Sequence, residues 1–586
     1  MTRLRPGVVL ALVLLLAGCG GLVREGPVRP GLEVGSGKAP DLGFVFPGPV
    51  DGASQDGIVS GFLRAGAASG GVYDNARRFL TARTSEAWDP DERIVLLADD
   101  VAPTVTLLDR STARVTARVS ATVDAVGRLR AAAPGTEVSA TFTLTSVGGQ
   151  WRIDGLPEHF GRWLAAADVP RLVQPFAVHY VSTSRRGTVP DVRWFPVDRL
   201  ATRLARAQLE GVPRFLAGAA TTAVPAGARL LGDAVSVDSD GVASVELISD
   251  RQLATGQSAR QDLWAQFLST LTQDPTVTAL TLKVDGVAVD LPGVQAPISS
   301  VSRVGFPDTF PATALAKPVV RRGATVTVFD PSLTQQQGRS TTAPAAYPQV
   351  PAGYTALALS ADGGEIAAVD PGGDGLSRWR DGTRYEVPGT GSDLGAPSYD
   401  ERGFLWVGDA SGPDRLGTVD LTADPADPQA AAVQPVEAGW LSGRRVTQAK
   451  VAPDGDRVVV LSTAVDGSDP RVDLAGVTRG EGGRPVRLAS PRRLGVGLRS
   501  AQGLTWVDDE QVVSIVATGG EDASPVMFSV AGEVTALPEV DGARAVAAAG
   551  SESDLYVVTD AGRLLSRSGV GWVDSGPARD LAVPAR

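Results

Sequence analysis

Lys450-Val451-Ala452-Pro453-Asp454-Gly455-Asp456-Arg457-Val458-Val459-Val460-Leu461 sets two apolar runs on either side of a Pro-Asp-Gly-Asp turn. Asp-Gly between apolar stretches is a strong short-range hairpin signal, because glycine supplies the positive φ that such turns need. The pattern recurs. Leu357-Ala358-Leu359 and Ile366-Ala367-Ala368-Val369 flank Ala361-Asp362-Gly363-Gly364, and Phe404-Leu405-Trp406-Val407 follows Asp400-Glu401-Arg402-Gly403. Leu504-Thr505-Trp506-Val507 and Val512-Val513-Ser514-Ile515-Val516 flank Asp508-Asp509, and Ala547-Ala548-Ala549 and Leu555-Tyr556-Val557-Val558 flank Ser551-Glu552-Ser553. The turns return roughly every 40 to 55 residues, the size of one propeller blade. A further strand follows some pairs, at Leu416 to Val419 and Met527 to Val530. Residues 301–586 are therefore expected to form an all-β propeller with five visible blades. Residues 305–350 are expected to add a sixth blade or the strand that closes the ring. A β-sandwich with similar turns is the competing architecture; the regular period favours the ring.

Upstream of this region the period changes. In residues 51–170, Ile58, Phe62 and Leu63, then Tyr73, Ala76, Phe79 and Leu80, have helical spacing. Residues 112–126 alternate through Ala113, Val115, Ala117, Val119, Ala121 and Val123, the period of a half-buried strand. Ala140 to Leu144 and Trp151 to Ile153, with Gly148-Gly149 between them, continue that sheet. Residues 171–300 repeat the style. Strands are expected at Ala177 to Ser182 and Val192 to Val197. A helix through Leu200, Leu204, Ala207 and Gln208 is stopped by Gly211 and Pro213. A hairpin turns at Asp238-Ser239-Asp240-Gly241. A second helix, with Ser258 and Gln261 as a capping box, presents Leu263, Trp264, Phe267, Leu268 and Leu271 on one face. Another hairpin turns at Asp285-Gly286. The fold class is thus two small α+β domains followed by an all-β propeller.

The amino end carries a different signal. Arg3 and Arg5 precede an apolar run from Val8 to Leu16, and Leu16-Ala17-Gly18-Cys19 follows. A basic start, a short apolar stretch and small residues make a secretion signal, too short for a comfortable permanent span. Leu-Ala-Gly-Cys is the lipobox pattern of bacterial lipoproteins. That likeness implies a signal peptide over residues 1–18, cleavage between Gly18 and Cys19, and a diacylglyceryl group on the Cys19 thiol. Acyl chains contribute about 0.8 kcal/mol per buried CH₂, so two hold a protein on a membrane far better than one. Residues 19–50, with Pro27, Pro30, Pro40, Pro47 and Pro49 among glycines, read as a tether that spans at most about 100 Å. The mature chain is expected on the outer face of the cytoplasmic membrane.

Composition narrows function. A net charge of −11 argues against a nucleic-acid partner. Cys19 is the single cysteine of 586 residues, so no intrachain disulfide forms. Lysine occurs only at Lys38, Lys283, Lys317 and Lys450, and the preference for arginine reads as base composition. The two histidines, His159 and His179, lack metal-ligand spacing and are expected to be structural or solvated. No histidine falls in the propeller region, which removes the commonest general base. Gly35-Ser36-Gly37-Lys38 lacks the remaining residues of a phosphate loop, and Asp238-Ser239-Asp240-Gly241 lacks the third acid of a calcium loop. Asp362, Asp400, Asp454 and Asp508 sit where turns need them. Trp379, Trp406, Trp440, Trp506 and Trp572 fit either blade packing or a binding rim. No catalytic residue, cofactor site or metal site is expected.

Val192 to Gly293 resembles the GerMN domain of sporulation lipoproteins. The likeness rests on Val192-Arg193-Trp194-Phe195-Pro196-Val197, Leu209-Glu210-Gly211-Val212-Pro213, Leu230-Leu231 leading into the hairpin, and the Trp264 to Leu271 helix. That family implies a small interaction module without catalysis. The whole order, together with Phe62-Leu63-Arg64-Ala65, Ala76-Arg77-Arg78-Phe79-Leu80-Thr81 and Ala87-Trp88-Asp89-Pro90, resembles the LpqB family of actinobacterial lipoproteins. This second resemblance implies an accessory of the MtrA–MtrB two-component system that contacts the extracytoplasmic part of the sensor histidine kinase MtrB. A cell-wall-acting enzyme and a small-ligand receptor using the propeller face are the alternative readings.

Overall fold

The computed structural model describes residues 46–68, 73–98, 102–251, 256–307, 317–330, 347–409, 415–518 and 522–584. Gly18, Cys19 and the tether up to residue 45 lie outside the described residues.

The N-terminal sheet is built around the long strand Thr112–Asp124, whose alternation puts Ala113, Val115, Ala121 and Val123 inside. Strands run in the order Gln150–Gly155, Glu137–Val147, Thr112–Asp124, Arg93–Leu97, Arg162–Leu164, the last pair parallel. Helix Gln55–Ala65 buries Ile58, Val59, Phe62 and Leu63 against the sheet. The Phe62 ring meets the Trp88 ring edge-on at 5.0 Å, and Trp88 donates its indole N–H to the Gly161 carbonyl at 2.9 Å. The helical spacing from Tyr73 to Leu80 holds only for Asp74–Arg77. Beyond it Phe79 and Thr81 exchange backbone hydrogen bonds with Ile153, so the chain leaves the helix to extend the sheet edge.

The middle module pairs Val173–Ser182 with Thr188–Pro196, and Val242–Ile248 in parallel with Ala279–Val284. The parallel pair needs a crossover, and helix Gln257–Leu271 supplies it. Leu263, Trp264, Phe267, Leu268 and Leu271 are buried, and the Trp264 indole donates to the Val289 carbonyl at 2.7 Å. The expected capping box does not form. The helix starts at Gln257 after Gly256, which places Ser258 inside the first turn, where its hydroxyl no longer serves as the N-cap acceptor.

Five successive sheets follow, with innermost strands Thr355–Leu359, Ser398–Tyr399, Arg444–Val451, Leu498–Trp506 and Ala543–Ala548. A sixth joins Val319–Arg322 and Thr325–Val328 to the late strand Asp580–Ala582. Each innermost strand neighbours the next, and Asp580–Ala582 fits between Thr355–Leu359 and Ala543–Ala548. The described residues thus form a six-bladed ring. The region after residue 305 supplies two strands of the closing blade, and a strand more than 250 positions later completes it. Arg321 and Asp580 pair inside that blade, with Arg321 Nε donating to Asp580 Oδ2 at 2.9 Å. Three residues were too short a signal to read as a strand in the sequence. The innermost strands enclose a central cavity of about 370 Å³.

Candidate functional site

The acidic turns come first, because the repeat places them. Asp400 Oδ1 accepts the backbone N–H groups of Arg402 and Phe404, and its Oδ2 accepts from the Trp406 indole and from Arg479, both at 3.0 Å. Asp454 likewise accepts from the backbone of Asp456 and Arg457, and from Arg457 Nε at 2.5 Å. Asp362 takes Gly364 N–H and the Ser360 hydroxyl, and Asp508 takes the N–H groups of Glu510 and Gln511. These carboxylates fold the turns. Asp238 does the same for its hairpin, accepting from Asp240 and Val242. Trp379, Trp406 and Trp506 are buried, and Trp440 and Trp572 pack against the blade cores, so the tryptophans are packing residues. Among the described residues no group of three or more His, Cys, Asp or Glu side chains is placed to hold a metal ion.

The two histidines differ. His159 is exposed, and its hydrogen bond to Glu92 raises its pKa. His179 lies within the middle module, its Nδ1 3.1 Å from the Thr188 hydroxyl, and burial pushes it down to about 4. It is neutral at physiological pH.

The concentrated chemistry lies where the middle module meets the propeller. Arg193, fully buried, donates Nε to Asp191 Oδ2 at 2.7 Å and Nη2 to the Tyr180 hydroxyl at 3.0 Å. Arg492, on the strand Arg492–Leu494 of the sheet whose innermost strand is Arg444–Val451, reaches Asp191 Oδ1 at 2.9 Å and stacks its guanidinium 4.3 Å from the Phe215 ring centre. Arg402 donates to Asp456 Oδ1 at 3.1 Å and to the Ser184 hydroxyl at 3.2 Å. Asp456 Oδ2 has no hydrogen-bond partner among the described residues, and burial, helped by the neighbouring Asp454 charge, pushes this carboxyl up to about 6.

Close packing surrounds these charges. A Cβ on Gly476 would stand 2.8 Å from Ala219 Cβ and 3.0 Å from Leu216 Cα, so the blade and the module meet backbone to backbone. One apolar cluster runs without a break from Tyr180, Leu204 and Leu268 through Leu474, Leu504 and Phe528. Trp194 ties in the N-terminal module as well: its backbone N–H donates to the Gly127 carbonyl at 2.7 Å, and its indole N–H to the Ala531 carbonyl at 3.1 Å. The arrangement makes the three modules one scaffold, which can present surfaces in a set geometry. Of the linking arginines, Arg402 carries a faint sequence signal, since it lies in one acidic turn and its partner Asp456 in the next. Arg492 and its distant partner Asp191 carry none.

Three family models divide the chain: "Lipoprotein LpqB, N-terminal domain" over residues 48–169, "Sporulation and spore germination" over 177–290, and "Lipoprotein LpqB beta-propeller domain" over 332–585. A Lipoprotein LpqB of Thermobifida fusca is 28% identical, with 91% of this chain and 90% of that protein covered. A Lipoprotein LpqB of Mycolicibacterium smegmatis is 26% identical, with 100% of this chain and 99% of that protein covered. Among solved structures, a chain from the nidogen/laminin complex matches with a TM-score of 0.33 and 13% identity, covering 46% of this chain and 98% of that chain.

Proposed function

Because the chain belongs to the LpqB lipoprotein family, we propose that it is a non-catalytic accessory of a sensor histidine kinase, held by lipidated Cys19 on the outer face of the cytoplasmic membrane. Its partner in this reading is the extracytoplasmic part of an MtrB-like kinase. The observation that supports it best is the joining of three modules into one body. A scaffold of this kind offers a broad surface of set geometry, as an accessory to a membrane receptor requires. A hydrolase acting on cell-wall glycans would need two carboxylates facing a cleft about 5–9 Å apart. The propeller acids Asp400 and Asp454 are instead engaged by turn backbone and guanidinium groups.

The test combines metabolic lipid labelling with crosslinking of intact membranes, in the wild type and in Cys19→Ala. The wild type takes up label and captures a histidine kinase; the variant loses the label and most of the capture. Recovery of cell-wall polymers alone, or an unlabelled wild-type product free in the medium, overturns the proposal.

A further inference from the structure

Lys450 stands on the innermost strand Arg444–Val451 and lines the central cavity of the ring. No hydrogen bond or ion pair joins its ammonium to the described residues, and burial alone pushes it down to about 8. Lys450 is half-buried, and a partly desolvated cation without a counter-charge is costly. The rest of the wall does not offset it. Asp580 is the sole acidic residue on the described wall, and its carboxylate is bound by Arg321. Arg544, also on the wall, lies 3.9 Å from the same carboxylate. Lys450 and Arg544 are thus the two cations on the described wall against one acid, Asp580, which Arg321 already neutralises from within the blade, in a chain whose net charge is −11. A cationic pocket inside an acidic protein is a local inversion of field that draws small anions.

Size and lining restrict the guest. About 370 Å³ lies within the usual range for small-molecule pockets. Much of the wall is apolar, with Leu357, Val507 and Val583, while Gln448 adds an amide two residues from Lys450. We propose that the propeller cavity is a binding site for a small organic anion, its carboxylate or phosphate held by Lys450 and its uncharged part packed against the alanine and valine wall. This inference stands apart from the kinase partnership and survives its failure.

Succinate and glycerol 3-phosphate are the probes, titrated calorimetrically into the full-length chain in non-ionic detergent at constant ionic strength, with chloride as the balancing salt. At least one binds one-to-one and raises the Tm; which one identifies the head group. Lys450→Met weakens that binding at least tenfold, and Lys450→Arg keeps most of it. Lys450→Met removes an unpartnered charge from the half-buried cavity wall, so its urea midpoint in the absence of probe is no lower than the wild-type value, which separates lost binding from lost folding. Absence of binding by either probe at 10-fold molar excess over millimolar protein, or equal binding by Lys450→Met, overturns the site.

Discussion

Arg492 and Asp191 are joined by a 2.9 Å hydrogen bond across 301 positions of chain, and the same carboxylate also holds Arg193 at 2.7 Å. One buried acid thus neutralises two guanidiniums, one from each side of a module boundary. Removing the acid strands both. Asp191→Ala is expected to lower unfolding free energy by about 3–5 kcal/mol, the usual cost of breaking a buried pair. Arg492→Met, which leaves the Asp191–Arg193 pair in place, costs less. Urea unfolding followed by tryptophan fluorescence checks the order; an equal loss in both variants would show that Arg193 does not depend on Asp191.

Gly476 measures how tightly the middle module sits on its blade. A methyl group there meets Ala219 Cβ, Leu216 Cα and the Phe215 carbonyl, and backbone atoms have little room to give. Gly476→Ala is expected to cost about 1–3 kcal/mol through overpacking. Gly439→Ala is the control, since nothing lies within 4 Å of a Cβ there; it changes stability by less than about 0.5 kcal/mol. Matching thermal shifts for the two would mean that the contact relaxes freely.

Acid acts on two buried groups with opposite signs. His179 titrates near 4 in the folded protein against an ordinary 6.5, so between these values the unfolded chain binds the extra proton. Its contribution is fully present above 6.5 and is lost as pH falls toward 4, by about 3 kcal/mol at most. Asp456 titrates near 6 against 3.8, so in that window the folded chain holds the extra proton and acid stabilises it. Stability profiles from pH 7 to 4.5 are expected to flatten in His179→Gln and to steepen in Asp456→Asn. Slopes that move together would contradict this assignment.

Ring closure depends on Arg321 and Asp580. Asp580→Ala leaves Arg321, which is 1% exposed, with only carbonyl acceptors. The expected loss is about 3–5 kcal/mol. Hydrogen exchange locates it: protection falls first in Thr355–Leu359 and Ala543–Ala548, the strands on either side of Asp580–Ala582. Uniform loss across all six blades would place the weak point elsewhere.

The blades were legible because every acidic turn between apolar strands is a local signal, read within about a dozen residues. Asp454-Gly455 announces its hairpin with no knowledge of the rest of the chain. The closing strand was not legible, since Asp580-Leu581-Ala582 is too short for alternation and its partner Val319–Arg322 lies far upstream. The docking of the middle module was hidden for the same reason: Asp191 and Arg492 have no common local pattern. Arginine usage, read from composition as base bias, has a physical side as well. Arg193, Arg321, Arg378 and Arg457 are all buried beside carboxylates, where a planar, always-charged fork pairs in ways an ammonium does not. The Ser258 capping box failed through a two-residue offset in the helix start, the kind of boundary that a spacing rule does not resolve.

The sheet that is begun first in the ring is finished last. Strands Val319–Arg322 and Thr325–Val328 emerge from the ribosome some 250 residues before Asp580–Ala582, and until then their sheet keeps a bare edge. Among the described residues only Asp580–Ala582 covers that edge, so a polypeptide that stops short of residue 580 leaves it bare.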